Sequence, residues 1–164
     1  MSSDFSEANV KQIIETVVSE LSPAIDNMTL DFAVDIINAV CAEAEKIGVK
    51  AVVAVSNRGG NPVAVHCMDD SFIASYDIAF QKAFTVVSLK MSTTKLKTLA
   101  APGGSLYGIQ FTNQGKIVIF GGGEPLVYNG IVIGGLGVSG GTEEQDTYLA
   151  EFGEKYFKEA IGKK

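Results

Sequence analysis

The side chains best suited to chemistry lie in a few short stretches. His66, the only histidine, is followed by Cys67, Met68 and the Asp69-Asp70 pair. Imidazole nitrogen and soft sulfur are ligands for heme iron or another soft metal. Successive residues of a strand face opposite ways, so His66 shares a face with Met68 and not with Cys67. With no second histidine, a Cys-His catalytic pair is excluded, and a lone strand histidine has a structural or exposed reading beside the ligand one. Lys82 lies within a helical apolar pattern; it is a candidate Schiff-base or anion-binding lysine, although a helix lysine ordinarily snorkels to water. Glu124 sits in Gly121-Gly122-Gly123-Glu124-Pro125, a turn without the Lys-Ser/Thr ending of a phosphate-binding loop, which excludes nucleotide binding there. Ser139-Gly140-Gly141-Thr142 precedes a helix and offers backbone N–H groups to an anion. Glu143, Glu144 and Asp146 crowd that first turn, however, and favour a structural capping role for the loop. An enzyme acting on a small metabolite requires several of Lys82, Asp69, Asp70 and Glu124 to converge in one pocket. No metal triad or nucleophile-base pair is apparent.

The elements that position these residues follow from periodicity. Leu30, Ala33, Ile37, Val40, Ala44 and Ile47 predict a helix over 30–47, capped by Thr29 and ended by Gly48. Segments 51–56 and 62–68 form a hairpin across Asn57–Asn61. A helix follows over about 72–90 with Ile78, Ala79, Ala83, Val86 and Val87 inward, then a short helix from Thr93, and a strand over 116–120. The Gly-rich stretch 121–146 holds half of the 18 glycines. Tyr128-Asn129-Gly130 reverses the chain into an apolar strand over 131–139. Alternation places Val132, Leu136 and Val138 on one face and Ile131, Ile133, Gly135 and Gly137 on the other. Glycines there imply close approach of a helix, a second subunit or a flat ligand. Thr142 and Gln145 form a capping box for a last helix over 143–161 that buries Leu149, Phe152 and Tyr156. The order predicts an α+β fold with a mainly antiparallel sheet.

The chain has 164 residues, 46% hydrophobic and 20% charged, which suits one core. A net charge of -6 with a single arginine leaves no basic face for nucleic acid. The absence of a signal-like start or a long apolar run leads us to expect a cytoplasmic protein without a membrane partner. Residues 1–27 comprise an amphipathic helix from Phe5 to Leu21 (Val10, Ile14, Val17 and Leu21 on one stripe) and a linker. This helix packs either on its own domain or on another molecule.

GGGEP, GIVIGGLGVSGG and the following QD, with AVSNRGGNPVAVHCMDDSFIASYDIAFQKAFTVVSLKMST upstream, resemble the GlcG/HbpS-like heme-binding family. That family also forms the C-terminal domain of PduO-type corrinoid adenosyltransferases. The resemblance covers roughly residues 28–160, within a domain of residues 28–164. It implies a profilin-like sheet flanked by helices (α-β-α), a homo-oligomer, and heme or a corrinoid as ligand of an accessory binding protein. His66, Met68, Lys82 and Glu124 are the candidate ligand contacts, and Gly121, Gly122, Gly123, Pro125, Ser139, Gly140, Gly141 and Thr142 the structural loops. Adenosyl transfer belongs to a separate N-terminal domain, and nothing before Met28 is long enough to be one. The helix Phe5–Leu21 is similar to encapsulation peptides that bring cargo into bacterial microcompartments, which gives a third reading as a shell-associated cargo or structural protein. Self-association is expected through surfaces that include the Gly-rich strand, where Gly135 and Gly137 leave a flat patch, or the adjoining helices.

Overall fold

The computed structural model describes residues 9–14 and 26–162. Residues 9–14 are helical and expose Val10, Ile13 and Ile14; the rest of the helix expected over 5–21 lies outside the described residues. Four helices and four strands follow: α1 (Leu30–Lys46), β1 (Val52–Asn57), β2 (Pro62–Cys67), α2 (Ile73–Leu89), α3 (Thr93–Ala100), β3 (Gly123–Tyr128), β4 (Ile131–Ser139) and α4 (Glu143–Ile161). The strands make one antiparallel sheet in the order β2-β1-β4-β3. Helices α1 and α4 cover one face and α2 the other, so the expected α+β, α-β-α layering is observed.

Local chemistry explains the boundaries. The Thr29 hydroxyl accepts the Phe32 N–H at the start of α1, and Gly48 takes a left-handed φ of +70° just past its end. Thr142 and Gln145 make the reciprocal capping box at the start of α4. The main core lies between the sheet and α1/α4, where Phe32, Ile36, Ile37 and Val40 meet Val53, Val55, Leu136, Val138, Leu149 and Phe157. Phe32 and Phe157 meet edge to face at 6.1 Å. Along α4 the buried stripe is Asp146, Leu149, Ala150, Gly153, Phe157 and Ile161, with Phe152 and Tyr156 only half-buried at its flank.

Three expectations are corrected. Ile133 packs with Leu136 and Val138 rather than opposite them. The β3–β4 register slips from Leu126 opposite Gly134 to Val127 opposite Val132, leaving Ile133 as the extra residue of a bulge that turns it to the α1 face. Residues 116–120 form no strand, because the chain from Gly108 runs through two 3₁₀ turns and then lies along α2, with Val118 N–H bonded to Thr85 Oγ1. Pro125 does not close a turn: it lies within β3, an outer strand where a missing N–H costs little.

The glycine face of β4 is covered by the chain's own α2, not by a second subunit. A Cβ on Gly137 would stand 2.0 Å from the Ala79 carbonyl oxygen and 2.7 Å from Ala83 N, and one on Gly135 2.3 Å from the Ala83 oxygen. The flat patch is therefore consumed in helix–sheet packing, and self-association through it is ruled out. Gly137→Ala is expected to lower unfolding stability by about 1–3 kcal/mol, since backbone and not a flexible side chain must give way. Chemical denaturation checks this, and an unchanged midpoint would contradict the packing described.

Candidate functional site

A cleft of about 270 Å³ opens between the N-terminal ends of α2 and α4. Phe72 and Ile78 come from α2 and its approach, Phe120 from the segment before β3, and Gly140, Gly141 and Asp146 from the β4–α4 junction. Ser139 and Ser75 share a hydrogen bond of 3.0 Å at its wall. Phe72 (70% exposed) and Ile73 (97%) leave apolar surface at the rim.

Beneath the cleft lies Lys82, fully buried. Its Nζ donates to Asp146 Oδ2 at 3.0 Å and to the Val138 carbonyl at 2.7 Å, and stands 4.8 Å from the Phe120 ring centroid. The other Asp146 oxygen accepts the Gly141 N–H at 2.9 Å. Burial pulls the Lys82 pKa down, opposed by Asp146, and pushes the Asp146 pKa up, opposed by Lys82 and by the backbone N–H groups of Gly141 and Gly140. Taken singly the two directions point to a neutral pair. The geometry favours the ion pair, because Nζ faces two acceptors and a ring face while the carboxylate accepts from backbone N–H groups.

The loops around this pair are shaped to admit it. Gly122 has φ +106°, and a Cβ there would stand 2.6 Å from Lys82 Nζ and 2.8 Å from the Val138 oxygen. The Gly122 carbonyl accepts the Val138 N–H, tying the glycine turn to the end of β4. Glu143 anchors the same turn: its carboxylate accepts Gly121 N–H at 2.8 Å and the Lys97 ammonium at 2.6 Å. The Lys97 hydrogen bond and then that of Gly121 hold the Glu143 pKa below the usual range. The Gly141 N–H is taken by Asp146 and the Thr142 N–H by Gln145, so neither is free for an anion.

The four candidate ligand contacts do not come together. His66 is exposed on β2, one outer strand of the sheet, and its side chain makes no hydrogen bond among the described residues. Met68 is half-buried against the main core, where its sulfur accepts the Ala51 N–H at 3.4 Å. Glu124 lies on β3 at the opposite edge, about 14 Å away across three strand spacings. Lys82 lies on the other face, and Asp69 and Asp70 are exposed beyond β2, so the convergence that an enzyme reading required is absent within one chain. Lys82 does not snorkel, because its helix directs it into the apolar layer. Asp146 was missed as its partner. The signal was present: each heads or interrupts a buried stripe, Ala79-Lys82-Ala83-Val86 on α2 and Asp146-Leu149-Ala150-Gly153 on α4.

A heme needs an iron ligand and apolar cover. The cleft offers Phe72, Ile78 and Phe120, but no histidine, methionine, cysteine or tyrosine lines it. The exposed imidazole of His66 stands elsewhere, on an outer strand, and does not line this cleft.

The family described as haem degrading protein HbpS-like matches residues 28–154. A 15.0 kDa protein of the dhaT–dhaS intergenic region of Citrobacter freundii is 47% identical over 138 residues, which is 84% of this chain and 97% of that protein. The corrinoid adenosyltransferase PduO of the same organism is 39% identical over 113 residues, 69% of this chain but only 34% of PduO. Among solved structures, a PduOC:heme complex superposes with a TM-score of 0.76 at 35% identity, covering 79% of this chain and 94% of that one. With the whole sheet, helices α1 to α3 and the first part of α4 inside the matched region, this chain belongs to the HbpS-like family.

Proposed function

We propose that this protein binds a small ligand of the heme class and serves as an accessory binding protein rather than as an enzyme. The observation that carries the reading is the PduOC:heme complex, a relative with the same fold. His66 supports it from this chain's side, being exposed and able to present an imidazole nitrogen. Heme would bring its iron and its flat apolar ring; the protein would supply the axial nitrogen, with apolar cover from beyond the single chain. A homo-oligomer would provide that cover. A corrinoid is the alternative ligand, suggested by the PduO likeness alone. None of the described helices is long and apolar enough to cross a membrane. A cargo role in a microcompartment rests on the exposed Val10, Ile13 and Ile14, and deletion of residues 1–27 with imaging of localisation tests it separately.

Hemin titrated into the protein is expected to shift the Soret band. His66→Ala should abolish the shift at a stability cost within about 0.5 kcal/mol, because an exposed side chain without partners leaves no buried group unpaired. The absence of any spectral change in the wild type would remove heme; an unchanged shift in the variant would remove His66.

One observation favours the enzyme reading: Glu124 has its pKa raised to about 7, a value suited to proton transfer. Its causes are burial first, then the charges of Glu154 and Glu151 on α4, partly offset by Lys158. The group belongs to packing between β3 and α4 and does not line the cleft. We therefore assign Glu124 a linkage to folding. Between the usual glutamate range and about pH 7 the folded state holds a proton that the unfolded state releases, so this stabilising contribution is full in acid and is lost as pH rises through about 7. Glu124→Gln should flatten that part of the stability profile, measured by denaturation across the window. A profile identical to wild type would refute the assignment.

A further inference from the structure

The polar groups around the cleft between α2 and α4 are almost all committed. Gly141 and Thr142 give their N–H groups to Asp146 and Gln145, so neither donates into the cleft. The two carboxylates that line it are matched by ammonium groups, Asp146 by Lys82 at 3.0 Å and Glu143 by Lys97 at 2.6 Å. The exception is a pair of serines. Ser75 stands in the first turn of α2 and Ser139 ends β4; they are 3% and 5% exposed, and their hydroxyls lie 3.0 Å apart. Two hydroxyls carry two protons, and one hydrogen bond between them uses one. Neither oxygen has another partner among the described residues. One buried O–H is therefore left without an acceptor, where buried donors ordinarily have one. Both serines line the cleft, so the acceptor can come from there.

We infer that this cleft binds a small uncharged molecule with a compact apolar body and one acceptor oxygen, a ketone, aldehyde or alcohol, which accepts the hydrogen bond that Ser75 and Ser139 leave unused. Phe72, Ile78 and Phe120 supply the apolar walls. An anion would face Asp146 and Glu143, and no lysine or arginine lines the cleft to receive it. A cation would find both carboxylates already paired. A hydrocarbon would fill the space yet strand the hydroxyl. The volume of about 270 Å³ lies below the roughly 300–1,000 Å³ of sites for drug-sized molecules, which limits the ligand to a compact one. The inference is independent of the heme reading, because His66 and its outer strand take no part in it.

Amide NMR of the isotope-labelled full chain, titrated with cyclohexanone, tests it. Saturable shifts in the millimolar range are expected at Ser75, Phe120, Gly140 and Gly141, with weaker binding of cyclohexanecarboxylate. Ala74→Trp, a change at an exposed position on the cleft wall, should abolish them. Ser75→Ala combined with Ser139→Ala removes both hydroxyls together and strands neither. This double variant should bind cyclohexanone roughly three- to tenfold more weakly and benzene, which has no acceptor oxygen, as the wild type does. The absence of saturable shifts in the wild type overturns the inference, as do shifts that persist in Ala74→Trp. Unchanged cyclohexanone affinity in the double variant, or a loss that benzene shares equally, removes the hydrogen bond on which it rests. Tighter binding of the carboxylate than of the ketone overturns the uncharged class. A hemin response that Ala74→Trp abolishes would give the cleft to heme and likewise overturns it.

Discussion

The buried pair of Lys82 and Asp146 is the constraint around which the cleft side of this molecule is arranged. An ammonium with no exposure cannot be left unmatched, because the cost of removing it from water must be met by partners fixed in position. Those partners come from three segments distant from Lys82 in sequence: the end of β4 through Val138, the first turn of α4 through Asp146, and the chain before β3 through Phe120. Gly122 is a glycine because the ammonium fills the place of its side chain. The cleft is thus the outer surface of an electrostatic knot, and its shape follows from the need to satisfy one charge. Such a pair need not add net stability, since apolar replacements of both members can match it, but it enforces one arrangement of the loops.

Much of the fold was legible because it is written in local periodicity. The three-and-four spacing of α1, the capping box of α4 and the Asn129-Gly130 reversal each act over a few residues, and each appears where the sequence places it. What escaped was set by non-local geometry. Strict alternation along β4 fails at Ile133 because a bulge against β3 inserts a residue. The segment 116–120 has strand composition but finds its partner in Thr85 on α2 instead of in a neighbouring strand.

The candidate site was legible residue by residue and not as a constellation. Lys82 was singled out, yet burial could be inferred only by noticing that it sits within an apolar stripe, and its pairing with a residue 64 positions away leaves no local mark. His66 and Glu124 are both genuine outliers, one for exposure and one for its raised pKa, but strand order puts them at opposite edges of the sheet. Sheet order is a global property, and no spacing in the sequence records it. The family relationship and the physics therefore contribute different things: the former points to a ligand class, the latter shows that one chain does not gather its candidate ligand groups into a single pocket.

The central claim is that Lys82 and Asp146 act as one unit. A double-mutant cycle of Lys82→Met, Asp146→Leu and the combination, followed by chemical denaturation, tests it most directly. Each single change strands a buried charge and should cost about 3–5 kcal/mol, while the double variant should cost less than the sum by at least about 2 kcal/mol. Single changes costing under about 1 kcal/mol that simply add would contradict the account.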